Sequence, residues 1–238
     1  MASKSFAQAI AHFLTHLKPP VGLPDGVEVL HPYRDPEVCR VVREMANRYY
    51  TEAPPRLSVW GINPGRFGAG LTGLSFTDPW AVAHQLGIET TLSGRRELSA
   101  EFISDVIDAY GGPSEFYRDI YLGAVSPLGF IADGVNVNFY DTAPLLQAVT
   151  PYAISCMQTQ IGYGLRRDVG VVLGTGKLKQ AIEKHVNPIV GFDRVVYLEH
   201  PRFIMQYRRS QRSAYVDRYV ATLRSLHASQ VPSTRTFS

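Results

Sequence analysis

Cysteine is nearly absent: the 238 residues hold only Cys39 and Cys156. Two thiols are too few for a cysteine-ligated iron–sulfur cluster or a four-thiolate zinc site. They allow at most one bridge, and their isolation fits a reducing compartment such as the cytoplasm. Long apolar runs are missing too; none approaches the ~20 residues that span a bilayer, so no membrane role is expected. The N-terminus, Met1-Ala-Ser-Lys-Ser-Phe6, carries His12 and His16 in its apolar stretch and lacks a signal-peptide layout. The seven histidines are scattered, without the H-x-E…P-C-x-x-C pattern of zinc deaminases. No G-x-S-x-G elbow marks a serine hydrolase. The acids show no obvious pair of the glycosidase kind. Neither a metal nor a cofactor is expected.

Lysine is also scarce, five against nineteen arginines, and net charge is only +3. The distribution is uneven. From Pro201 to Ser238 there are seven arginines (202, 208, 209, 212, 218, 224 and 235) and one acid, Asp217, so this tail carries +6 and the rest −3. Arginine's planar fork suits phosphate. An Arg-rich solvated helix face accounts for the same run.

Hydrophobic residues make up 45% and charged residues 19%, the profile of an ordinary globular chain. The length suits one α/β domain over residues 1–238, with a helical N-terminal extension over 1–55. Helices are predicted over Ser5–Leu17, ended by Pro19-Pro20, and over Pro36–Tyr50, closed by Ala53-Pro54-Pro55. Four short apolar runs follow: Leu57–Ile62, Tyr121–Val125, Val169–Leu173 and Val195–Leu198. They read as buried parallel strands. Helical patterns at Ser99–Tyr110, Pro151–Arg167, Lys177–His185 and Ser210–His227 lie between or after them. Such alternation implies a parallel sheet covered on both faces, whose ligands bind beyond the strands' carboxyl ends.

Those ends are informative. After the first comes Gly61-Ile-Asn-Pro-Gly-Arg-Phe-Gly-Ala-Gly-Leu-Thr-Gly-Leu-Ser-Phe76, whose five glycines let backbone approach a ligand closely. Asn63 could orient a water or a substrate there, although Asn-Pro-Gly is also an ordinary turn former. After the third comes Gly174-Thr-Gly-Lys177, half of a phosphate loop, lacking the full G-x-x-x-x-G-K-[ST]. It could bind one phosphate through Gly174, Gly176 and Lys177, or serve as a simple strand-to-helix turn. After the fourth comes His200-Pro201-Arg202-Phe203. The histidine could donate to developing negative charge, or be structural. Phe203, Ile204 and Met205, beside Arg202, Arg208 and Arg209, could form an apolar wedge flanked by phosphate-binding arginines, or pack into the core. The acids nearest these ends are Asp78, a helix-cap candidate, and Glu199.

The first of these segments resembles the first motif of the single-strand-selective monofunctional (SMUG-type) uracil-DNA glycosylases, G-M-N-P-G-P-F-G-M-x-x-T-G-x-P-F. His200-Pro201 resembles the opening of their second motif, H-P-S. Ser93-Gly94, Gly112-Pro113-Ser114-Glu115-Phe116 and Gly174-Thr-Gly-Lys177 are similar to stretches between and around them. The likeness runs discontinuously from about residue 57 to 210 and points to a divergent, bacterial-type branch. It implies a three-layer α/β/α sandwich around a four-stranded parallel sheet, and hydrolysis of the N-glycosidic bond of uracil in DNA by a monomer. By the same resemblance Asn63 positions water and His200 stabilises the leaving base. Phe76 stacks on the base, Gly65 and Ala69 contact it through backbone N–H groups, and Phe67 belongs to the same binding set. Gly174, Gly176, Lys177, Arg202, Phe203, Arg208 and Arg209 contact DNA.

The family reads the uracil edge with an asparagine just before a Cys-Pro-Leu. Aligning Ser126-Pro127-Leu128 with that tripeptide places Ala124 at the asparagine. Asn136 or Asn138 then reads the base, with Asn138 preferred, or selectivity relaxes toward xanthine and hypoxanthine. A non-catalytic nucleic-acid-binding module and a small-molecule nucleoside hydrolase are the competing expectations.

Overall fold

A computed structural model describes residues 4–51 and 55–229. Ala53 and Pro54, expected to close the second helix, and Arg235 of the basic tail lie outside the described residues.

The first helix, α1 (Phe6–Thr15), starts at a capping box: Ser5 Oγ accepts from the Gln8 N–H while the Gln8 side chain accepts from the Ser5 N–H. Strand β1 (Val27–Leu30) follows. Helix α2 (Pro36–Tyr49) is capped by Asp35, with Pro36 in the first turn where its missing N–H costs nothing. Then come β2 (Arg56–Gly61), the short helices α3 (Ala69–Thr72) and α4 (Pro79–His84), α5 (Leu98–Ala109) and α6 (Pro113–Asp119). Strand β3 (Ile120–Ala124) leads to a hairpin of β4 (Gly129–Ala132) and β5 (Val135–Val137). The chain continues through α7 (Ala143–Gly162), β6 (Leu165–Leu173), α8 (Lys177–Ala181), a π-turn (Ile182–Val186), α9 (Asn187–Val190), β7 (Arg194–Leu198), α10 (Pro201–Tyr207) and α11 (Arg212–Ala228).

The central sheet is parallel throughout, in the order β3-β2-β6-β7. Every residue of β2 and β3 is buried, which requires cover on both faces. Helices supply it, with α7 against β6, α6 against β3 and α11 against β2. The expected α/β/α architecture and its four-stranded parallel sheet are present. All four carboxyl ends point the same way, so their loops gather at one edge.

Several boundaries differ from the sequence reading. Helix α7 starts eight residues before Pro151, from an N-cap at Thr142, and carries that proline inside it. Strand β6 starts at Leu165 instead of Val169. Its charged Arg166 is buried because it pairs with Asp168 and donates to the Leu226 carbonyl. A second, antiparallel sheet, β1-β4-β5, was not anticipated. The N-terminal segment is no appendage. Phe6 and Ile10 are buried in the common core, Phe6 packs edge-on against Tyr50 and Tyr121, and β1 pairs with β4.

Candidate active site

The loops after β2 and β7, the hairpin β4–β5 and the first turns of α5 and α10 enclose a cavity of about 330 Å³. Asn63 and His200 both line it. That volume lies within the range of small-ligand sites.

Asn63 is held at both ends of its amide. Nδ2 donates to the Val137 carbonyl at 3.2 Å, and Oδ1 accepts the Phe139 N–H at 3.1 Å. Both partners belong to the end of β5 and the residues just after it. The clamp fixes which end of the amide is oxygen. It leaves a second Oδ1 lone pair and a second Nδ2 proton for a ligand.

His200 caps α10. Its Nδ1 accepts the Arg202 N–H at 3.1 Å, so a neutral ring carries its proton on Nε2. Burial, reinforced by the Arg202 charge, pushes its pKa down from 6.5 to about 4. The ring is therefore a neutral donor near pH 7. The Phe76 ring lies 5.9 Å from it, tilted by 49°. Phe76 occupies the left-handed region at φ 53°, uncommon for a bulky residue and found where surroundings hold it. Gly61 makes the arrangement possible: a Cβ there would stand 2.6 Å from Phe76 Cε2.

The loop after β2 turns back on itself, with the Gly68 and Gly70 N–H groups both donating to Gly65 O. The Gly65 and Ala69 N–H groups take no part in those bonds, and both residues line the cavity. Asn138 lines it as well. Its backbone N–H and Nδ2 both donate to Asp141, which orients the amide. Asn136 lines the wall beside it, with Oδ1 occupied by the Arg66 N–H. Ala124 is part of the wall and offers only a methyl group.

Other expected site residues lie away from the cavity or at its edge. Phe67 does not line the cavity; its ring lies within cation–π distance of the Arg66 and Arg95 guanidiniums. The wedge is one residue rather than three: helical geometry buries Ile204 and Met205 and leaves Phe203 41% exposed beside Tyr207. Arg202 and Phe203 reach the cavity rim, while Arg208 lies outside it, over the Phe203 ring. Arg209 stands 4.0 Å from Glu101. Gly174, Gly176 and Lys177 lie outside the cavity; Gly174 N–H is bonded to Leu198 O, tying β6 to β7. Much of the tail's charge is spent on structure. Arg212 pairs with Glu101 and Asp105, Arg218 with Glu199, and Arg224 donates to the Tyr110 carbonyl.

Asp78 is fully buried, caps α4 and binds Arg96 and the Glu97 N–H; it does not face the cavity. Glu97 does. Both of its oxygens are engaged as the cap of α5, by Ser99 Oγ and the Ala100 N–H. That carboxylate went unnoticed in the sequence. The signal lay in its place just ahead of the helical pattern, where caps occur. Gln206 and Tyr207 of the rim also went unnoticed. Among the described residues no cluster of three or more His, Cys, Asp or Glu could hold a metal ion, and no helix is long and apolar enough to cross a membrane.

Comparison with known proteins agrees with this geometry. No curated protein sequence matches the chain. Residues 48–224 match the model of the uracil DNA glycosylase superfamily. The crystal structure of wild-type Pedobacter heparinus SMUG2 superposes with a TM-score of 0.90 at 35% identity, covering 95% of this chain and all of that one. With an asparagine and a neutral histidine converging on one crevice at the sheet's carboxyl edge, the chain belongs to the uracil-DNA glycosylase superfamily, among its SMUG-type members, and is a DNA glycosylase-type hydrolase.

Proposed function

We propose that the chain removes uracil from DNA by hydrolysing the N-glycosidic bond of a nucleotide flipped into the cavity. The observation that carries this reading is the convergence of Asn63, His200 and the Phe76 ring on one space of about 330 Å³. Bond cleavage passes through an oxocarbenium-like sugar and a uracil anion. The Nε2–H of a neutral His200 donates to that anion as its charge grows. A neutral donor suits the task, because it stabilises charge without having to part with a proton. Asn63 is a poor base, so its free Oδ1 lone pair orients a water that captures the sugar cation once formed. Phe76 stacks on the base, and the Gly65 and Ala69 N–H groups address its carbonyl edge.

Asn138 reads the base. Its Nδ2 is anchored on Asp141, leaving Oδ1 to accept the uracil N3–H. Asn136 is committed to the Arg66 N–H. Arg202 and Phe203 line the rim and meet the DNA; Arg208 and Arg209 follow on the same face, and Gly174, Gly176 and Lys177 supply a more distant backbone contact. A single chain supplies every group named, so the active unit is a monomer. A wider base range, including xanthine and hypoxanthine, is supported by Ala124. It stands between the main cavity and a second one of about 30 Å³ that shares Pro64, Ala69 and Ser75.

The test is release of base from oligonucleotides containing uracil, xanthine or hypoxanthine, single- and double-stranded, read as alkali-labile abasic sites. Asn63→Ala and His200→Ala should each lower kcat by roughly 10²–10³, by analogy with loss of an oxyanion-hole donor. No release from any substrate, with salt-dependent binding intact, would leave a nucleic-acid-binding module instead. Release from free nucleosides with indifference to DNA would select a nucleoside hydrolase.

A further inference from the structure

Phe67 sits just outside the cavity with two cations on it. The Arg95 guanidinium carbon is 3.8 Å from the ring centroid and that of Arg66 is 4.9 Å away, both within cation–π range. Gathering two like charges on one ring costs energy unless an anion is near. Among the described residues neither arginine has a carboxylate within 4.0 Å. Glu97 caps α5, and Asp133 stands at the hairpin turn beside Gly134, whose carbonyl accepts from Arg66. Arg96, next in the chain, is committed to buried Asp78. Arg66 and Arg95 are exposed.

Their position matters as much as their charge. The loops that carry them touch at Gly68, where a Cβ would lie 3.4 Å from Glu97 Cγ, and Gly68 and Glu97 both line the cavity. The cation pair therefore stands beside the cavity, on an arc formed by the loops after β2 and before α5. Arg202 and Phe203 occupy the arc formed by α10. Arg66 also ties its loop to the β4–β5 hairpin, its backbone N–H donating to Asn136 Oδ1 and its guanidinium to the Gly134 carbonyl.

We infer that Arg66, Phe67 and Arg95 form a clamp for one backbone phosphate of the DNA strand whose nucleotide enters the cavity. The ring holds both planar forks within cation–π reach before DNA arrives, which reduces the ordering cost of a phosphate contact. This inference rests on the glycosylase reading for its choice of ligand.

The test uses the full chain and the variants Arg95→Gln and Arg95→Lys. Arg95 is exposed and, among the described residues, makes no hydrogen bond with another side chain, so equal melting temperatures are expected. On a uracil-containing single strand, Arg95→Gln should raise KM about tenfold, with kcat little changed, and Arg95→Lys should recover part of the loss. The slope of log Kd against log salt should fall by about 0.7 for one lost phosphate contact. Replacing single phosphates by neutral methylphosphonates should reveal one position that weakens wild-type binding and has no further effect on Arg95→Gln. An unchanged KM and salt slope, or an identical methylphosphonate profile in both proteins, would overturn the clamp. So would displacement of DNA by inorganic phosphate with no sensitive backbone position, which would indicate a free-anion site. Base release by the wild type is scored separately. If it fails, the glycosylase reading falls, and the clamp is still decided by binding to uracil-free single strands.

Discussion

Asn63 sits between a carbonyl and an N–H, and only an amide satisfies both. A carboxylate of the same shape would set an oxygen against the Val137 carbonyl. Asn63→Asp should therefore destabilise the fold by about 1–3 kcal/mol at pH 7. The deficit should shrink as pH falls through the carboxyl range, where a protonated Asp donates again. Urea denaturation at pH 7 and pH 4 reads this directly; equal deficits at both would mean the clamp is not what holds residue 63. His200 offers the complementary experiment. Its pKa is about 4 in the folded chain and near 6.5 when unfolded. Protonation places a proton on Nδ1 and breaks the bond from the Arg202 N–H. kcat/KM should accordingly stay level from pH 8 to about 5 and decline through about 4. The ring's contribution to stability has the same sign: complete above 6.5, and lost as pH falls toward 4, because the unfolded chain binds the proton first. A kcat/KM profile breaking at 6.5 would show that the ring is as solvated as an ordinary histidine.

At the scale of elements, the hairpin β4–β5 positions the site although it was not read from the sequence. Its strands are four and three residues long, too short for a periodic signal. Phe130-Ile-Ala-Asp-Gly-Val-Asn-Val137 nevertheless contains an Asp-Gly turn between apolar runs, a strong local hairpin signature. Asp133 and Gly134 both take positive φ there, as such a turn requires. The four parallel strands were legible because each is a short apolar run followed by a turn-prone or polar group. Helix α7 extends upstream of the pattern that opens at Pro151. Proline marks a first turn only when no cap lies upstream, and Thr142 is one. That Asn63 and His200 share a cavity followed from topology alone; that Asn63 is clamped from β5 did not. Gly61 tests how the first loop is built. Gly61→Ala places a methyl group against the Phe76 ring, which must swing away. Overpacking costs about 1–3 kcal/mol, and a ring bordering a cavity has room to move, so the lower end is expected. Loss of the stacking surface should reduce base binding by about 1–3 kcal/mol, seen as a raised KM. Wild-type kinetics in Gly61→Ala would show that Phe76 does not need its present position.

At the scale of the molecule, the sequence overstated how much positive charge faces DNA. The Pro201–Ser238 segment carries +6, but α11 turns its arginines toward α5 and the end of β7. The Arg212–Glu101 pair at 2.6 Å and the Arg218–Glu199 pair bind the helix to its neighbours. Charge counted along the chain does not reveal such pairing, because the acids lie in α5 and at Glu199, before the basic tail. Among the described residues, the cations left without a carboxylate around the site are Arg66 and Arg95 on one arc, Arg202 and Arg208 on another. With the clamp counting as one, three phosphate contacts to a single strand give a slope of log Kd against log salt of about 2 in magnitude. Were the whole tail engaged, the slope would be markedly steeper. Arg212→Gln separates the two pictures. It should leave the salt slope unchanged while lowering stability, because Glu101 and Asp105 lose a shared partner that is itself mostly shielded from solvent. The expected loss is about 1–3 kcal/mol, read by urea denaturation. A flattened salt slope with unchanged stability would put Arg212 on the DNA and reverse the assignment of α11 as a structural helix.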